Sequence, residues 1–185
     1  MPLVRILSDA LGDGRRPRAH QVLRVDHGTV ELAVPRGWIA SAGEGCLTVT
    51  DATDECALEI SYLLLPPLPP EAPSLASRLE HALGADGHEA PIVTRRDGSL
   101  DVAWADYEYE SPDPHRGDAR RPARGRWLLA ANDRVQLLAT FSYWVDDAPW
   151  ALEAWEWMMS SIRLAEEPVG DGSLEDWNLR PGSGE

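Results

Sequence analysis

The chain reads as an α+β protein in which an antiparallel β-sheet, assembled from hairpins, is flanked by helices. Three observations predict this. First, Val135, Leu137, Ala139, Phe141 and Tyr143 alternate with Arg134, Gln136, Thr140 and Ser142, the period of two that a half-buried antiparallel strand requires. Second, Ala151, Leu152, Trp155, Met158, Met159 and Ile162 recur at helical spacing immediately afterwards, with Glu153, Glu156, Ser160 and Arg163 opposite them. That is the apolar stripe of an amphipathic helix. Third, turn-forming residues punctuate the other strand-like runs at Asp26-His27-Gly28, Asp51 to Asp54 and Asp97-Gly98, which is the pattern of hairpins. At 185 residues the chain suffices for one domain that buries roughly 70% of its unfolded surface.

Taken in order, residues 1–19 form a flexible lead with a short amphipathic segment, Leu3 to Leu11, and a Gly/Arg-rich run. A single domain is expected over 20–164. Gln21 to Val25 and Thr29 to Val34 read as two strands, and Pro35-Arg36-Gly37-Trp38 ends the second, since Pro stops the ladder. Cys46 to Thr50 and Cys56 to Leu65 form the next hairpin. With a turn over 51–54, Val49 faces Cys56 and Cys46 falls on the other face, so no disulfide closes and both thiols stay free. Pro66-Pro67-Leu68-Pro69-Pro70 is a polyproline spacer. Ser74 caps a helix from Leu75 to Leu83 that Gly84 stops. Ile92 to Arg96 and Leu100 to Glu110 pair around Asp97-Gly98, and Ser111 to Gly125 is a Pro/Gly/Arg-rich loop. Arg126 to Ala130 returns as Arg134 to Trp144 through a two-residue turn, Asn132-Asp133. Asp146 or Asp147 caps the last helix, with Pro149 in its first turn. Residues 165–185 form an acidic tail, disordered or loosely docked through Leu174, Trp177 and Leu179.

This order, with Val34-Pro35-Arg36-Gly37-Trp38 early, Trp127-Leu128-Leu129 and Phe141-Ser142-Tyr143 late, and a closing helix ending Met159-Ser160-Ser161-Ile162, resembles the PsbP-like superfamily over roughly residues 20–164. That superfamily includes the extrinsic oxygen-evolving protein of photosystem II, a Ran-binding nuclear-import factor and many bacterial proteins. The resemblance implies an α/β/α sandwich with a non-catalytic binding role. Its motifs mark packing and turns, and it carries over no functional residue, because the superfamily has no shared active site.

Composition narrows the partners. The formal net charge is −14 and every one of the 17 basic residues is arginine. Such a surface disfavours nucleic acid, whose recognition rests on neutralising phosphates, and docking on anionic lipid. No run has the length of a membrane span, and the N-terminal residues lack the apolar core and cleavage site of a signal peptide. A cytoplasmic location is expected, as a monomer or homodimer.

No catalytic or cofactor-binding constellation is legible. Gly-x-Ser-x-Gly is absent, neither Cys has a His at suggestive spacing, and His20, His27, His81, His88 and His115 are scattered without a metal-binding motif. The row Asp106, Glu108, Glu110 reads as a solvated strand end, without the loop spacing of a calcium site. Two surfaces remain as candidates for a protein partner. Arg116, Arg120, Arg121 and Arg124 gather in the loop and suit phosphate or carboxylate groups, or clasp the chain's own acidic row. Trp150 and Trp157, seven apart, edge the apolar stripe of the last helix, as contact aromatics or as core. The expected function is a non-catalytic protein-binding module. The alternative is a small-ligand or metal-binding protein, or an enzyme, with a pocket between sheet and helix.

Overall fold

Alternating apolar side chains build two antiparallel sheets in this chain. The computed structural model describes residues 20–181 apart from 44, 54, 67, 68, 70, 86, 114–118, 173 and 175. In chain order the strands and helices are β1 (His20–Val25), β2 (Val30–Pro35), β3 (Ile39–Ala42), β4 (Leu47–Thr50), β5 (Cys56–Leu64), α1 (Leu75–Ala85), β6 (Val93–Asp97), β7 (Leu100–Pro112), β8 (Arg120–Ala131), β9 (Val135–Trp144), α2 (Ala148–Ser160), β10 (Arg163–Leu164) and β11 (Trp177–Pro181). The large sheet runs β3-β4-β5-β9-β8-β7-β6 and the small one β10-β2-β1-β11. The large sheet packs α1 on one face through Leu79, Leu83, Ala103, Ala105 and Leu129. Its other face meets α2 and the small sheet across the main core, centred on Phe141, Leu58, Ile60, Leu32, Trp155 and Met158. This is the expected α+β arrangement of hairpin-built sheet and flanking helices.

The alternation in β9 is complete, each odd residue from Val135 to Tyr143 being buried and each even one half-buried. In α2 the stripe of Ala151, Trp155, Met158 and Met159 is buried, joined by Ala154. Ser161 fastens the end of this helix to β2: its hydroxyl donates to Met158 O at 2.6 Å and accepts from Ala33 N at 2.8 Å. Asp147 is the N-cap of α2 and Pro149 lies in the first turn.

Several local expectations need correction. The 20–35 hairpin belongs to its own sheet, and Ile39–Ala42 adds an edge strand to the large one. Val49 faces Leu58, because Asp51 Oδ1 accepts the N–H groups of Glu55 (2.8 Å) and Cys56 (3.1 Å) and widens the turn. The two-residue shift preserves the faces, and Cys46 and Cys56 are free thiols. Helix α1 begins as expected, with Ser77 N–H donating to Ser74 Oγ at 3.1 Å. It runs through Gly84, however, and stops at Gly87, whose φ of +80° lets His88 N–H reach back to Leu83 O at 2.9 Å. The β8–β9 turn is wider than two residues and uses no positive φ. Asn132 Oδ1 accepts from the N–H groups of Arg134 and Val135 at 2.9 and 2.8 Å, a side-chain substitute for a backbone turn.

The expected loop over 111–125 is largely strand. β7 continues to Pro112 and β8 begins at Arg120. Residues 120–122 pair only with β7, so Pro122, which lacks an N–H, interrupts no second ladder. Nor is the tail loose throughout, since Trp177–Pro181 pairs with β1 along its length, and Leu174, Trp177 and Leu179 pack on the main core. The lead over 1–19 lies outside the described residues, as do three positions of the proline-rich spacer.

Candidate functional site

The expected arginine cluster resolves into two faces of one strand. Register sets Asp106 opposite Arg126 and Glu108 opposite Arg124. Both pairs therefore meet on the same face, where cross-strand charges stabilise one another. Arg124 reaches Glu108 Oε1 from Nε at 3.0 Å and from Nη2 at 2.5 Å. Arg126 grips both oxygens of Asp106, lies 3.5 Å from Glu156, and sits over the Trp155 ring at 5.4 Å. Burial opposes its charge, but the Asp106 bond and charge outweigh that and hold its pKa above the ordinary value. Arg120 donates to Glu110 O. Arg116 lies outside the described residues.

Arg121 is on the opposite face. Its guanidinium covers the Trp144 ring at 4.9 Å and lies 3.4 Å from both Asp146 and Asp147. The other oxygen of Asp147 accepts from Trp150 Nε1 at 3.3 Å. Arg121 and Trp150, candidates from the sequence on separate grounds, thus both contact Asp147. Trp157 stands apart, about 10 Å further along α2, its ring meeting His20 edge-on at 4.5 Å.

A second constellation was not anticipated. Asp26 and His27 adopt left-handed conformations, φ +46° and +56°, ahead of Gly28 at +94°. Asp and His tolerate this region better than most side chains. The turn buries the Asp26 carboxylate, leaving the residue 1% exposed. There it accepts from the Tyr62 hydroxyl and from Gly172 N–H (3.1 Å). Gly170 packs so closely on this carboxylate that no Cβ would fit. Asp26 N–H donates to Asp176 O at 2.5 Å, and Asp176 Oδ2 accepts from His27 N–H at 3.2 Å and lies 2.9 Å from His27 Nδ1. Asp26, His27 and Asp176 are the one group of potential metal-ligand atoms brought together among the described residues. Their carboxylate oxygens are engaged in fastening Gly172 and Asp176 over the β1–β2 turn. Nothing in the sequence spacing signals this, because Asp176 is remote from the turn it meets.

The Tyr62 phenol is held well above its ordinary value of 10.0, first by burial, then by its bond to Asp26 and the charges of Asp26, Asp171 and Asp176. The folded state thus holds this proton more tightly than the unfolded chain. Its contribution to stability is complete below about pH 10 and drains away as pH rises through the folded value. Urea denaturation as a function of pH is expected to show a falling limb in alkali that is shallower in Tyr62→Phe. An unchanged limb would mean that other groups carry it.

Among the described residues no helix is long and apolar enough to cross a membrane. A sequence profile of the Alr1449 family matches residues 21–167. The chain is 25% identical over 155 residues to the uncharacterised protein alr1449 of Nostoc sp. (strain PCC 7120), covering 80% of this chain and 79% of that one. Among solved structures it is similar to a Bacteroides thetaiotaomicron protein (TM-score 0.57, 11% identity, 79% of this chain), of whose length it spans about half, 49%. It is similar also to the cyanobacterial PsbP of Synechocystis sp. PCC 6803, with a TM-score of 0.54, 14% identity, and coverage of 84% of this chain and 98% of that one. The Saccharomyces cerevisiae Ran-binding protein Mog1p superposes with a TM-score of 0.51 and 11% identity, over 78% of this chain and 95% of that one. The fold inferred from the hairpin order is thus PsbP-like, and with a profile that matches most of its length, residues 21–167, the chain belongs to the Alr1449 family.

Proposed function

We propose that the chain is a non-catalytic binding module for a protein partner, and that the partner seats on the corner formed by Arg121, Trp144, Asp146, Asp147 and Trp150. The observation that supports this is the position of the Arg121 guanidinium, over one Trp ring and against the carboxylate that holds the other. Trp and Arg dominate the binding energy of protein interfaces, and side chains already fixed lose little freedom on association. Arg120 and Arg124 flank the corner on the other face of β8, where their bonds to Glu110 and Glu108 serve the clasp. Trp157 is kept as an outlying member of the surface, and Arg116 as a candidate from the sequence alone. The reading takes the module as cytoplasmic, a monomer or homodimer, with neither nucleic acid nor membrane as partner. The PsbP and Ran-binding relatives support it by fold alone.

A photo-crosslinking amino acid at position 146, whose side chain is 80% exposed, tests the corner directly. Irradiation in cells is expected to yield one discrete protein adduct. The same group at position 41, on the far edge strand β3, is expected to yield none, and Arg121→Glu to abolish the adduct while leaving the far-UV spectrum intact. Absence of an adduct at 146, or equal adducts at both positions, would sink the proposal.

A further inference from the structure

Independently of that corner, a groove of about 800 Å³ opens where the first turn of α1, Pro69 and residues 72–74, β6 and the β8–β9 turn come together. Its walls carry four arginines, Arg78, Arg95, Arg96 and Arg134, against two acids, Asp101 and Asp133. In a chain of net charge −14, that is a local reversal of sign. The arginines are dispersed in sequence, and topology alone gathers them from a helix, an edge strand and a turn.

Their bonding leaves cationic capacity unused. Arg78 is anchored by donating from Nη1 to Gln136 Oε1, while its buried Nε has no acceptor. Arg96 Nε lies 3.6 Å from Asp101, itself 54% exposed. Arg95 and Arg134 pair with no carboxylate among the described residues. Elsewhere the guanidinium groups of Arg121, Arg124 and Arg126 are all matched to carboxylates. With four guanidinium groups against two carboxylates the excess positive charges repel one another, and an anion in the groove relieves that repulsion.

We propose that this groove binds a small phosphorylated molecule. Guanidinium forks match phosphate oxygens in pairs. Leu75 and Ala76, in the lining, stand in the first helical turn, where N–H groups lack an intrahelical partner and favour an anion. The volume is that of a small-molecule site, typically about 300–1,000 Å³.

The test is a titration of the full chain with inorganic pyrophosphate at constant ionic strength, read from backbone amide resonances. Saturable shifts are expected at residues 74–78, 94–102 and 131–134. The double variant Arg95→Glu/Arg134→Glu, altering two exposed side chains, is expected to weaken binding by about tenfold or more without disturbing the rest of the spectrum. Arg36→Glu, outside the groove, is expected to leave it unchanged. Shifts that fail to saturate, that spread over arginines elsewhere, that chloride reproduces, or that survive the double variant would overturn the proposal. So would binding of an acidic phosphoserine peptide where pyrophosphate does not bind, since the groove would then serve a protein ligand.

Discussion

Phe141→Ala is expected to remove about 4 kcal/mol of stability and to lower Tm by roughly 8–16 °C. The ring is 1% exposed and is enclosed by three others: Trp38 at 6.3 Å, Tyr143 at 5.4 Å and Trp155 at 5.5 Å. These neighbours come from the connection after β2, from β9 itself and from α2, so the ring joins the large sheet to both layers above it. Truncation leaves a cavity whose walls are held by separate elements and cannot all move in. Phe141→Leu keeps most of the volume and is expected to cost less than about 1.5 kcal/mol. Urea unfolding of both variants decides the matter. A loss below about 1.5 kcal/mol for the alanine variant would show that the site collapses and that the aromatic cluster does not hold the layers together.

Asp26→Ala is expected to lower stability by about 3 kcal/mol. It strips the Tyr62 hydroxyl of its acceptor, frees Gly172 N–H, and places alanine where φ is +46°, a region that an ordinary L-residue enters at a penalty. Asp26→Asn keeps an acceptor and tolerance of that φ, and is expected to lose less. Gly170→Ala drives a methyl group into the same carboxylate and is expected to cost about 2 kcal/mol by overpacking. The two changes should not add. With the carboxylate gone the methyl has room, so the double variant is expected to be more stable than the sum predicts by about 1 kcal/mol or more. Strict additivity in denaturant titrations would show that Gly170 is needed for some reason other than its contact with Asp26.

What was legible in the sequence is what rests on local period. The strand Val135–Trp144 and the helix Ala148–Ser160 announce themselves because each buries one face along its whole length. The hairpin order, and with it the PsbP-like resemblance, follows from turn residues that act locally. The misses depend on partners distant in sequence. β11 offers only Trp177 and Leu179 as signal, and becomes a strand because β1 has a free edge to pair with. Pro112, Pro122 and Gly125 read as loop punctuation, yet Gly125 is a strand residue whose missing Cβ admits the Tyr107 ring. That ring stacks on His88 at 4.0 Å, and its hydroxyl accepts from Trp127 Nε1 at 3.1 Å. The same limit applied to function. Arg121 and Trp150 stood out by residue type, but Asp147 as their link, the Asp26 turn and the four arginines of the groove exist only once strands are in register.

The pairing of β11 with β1 bears on how the protein is made. As the chain leaves the ribosome, the β1–β2 ribbon emerges ahead of both strands that flank it, with an open edge on either side. Of the strands that close those edges, Arg163–Leu164 lies on β2 and Trp177–Pro181 on β1, and both are translated long after the ribbon itself. Throughout that interval Leu23, Val25, Leu32 and Val34, all buried in the finished molecule, lack most of their cover, and the unpaired edges invite wrong partners. The cover of β1 and β2 is therefore completed only once residues 163–181 have been made.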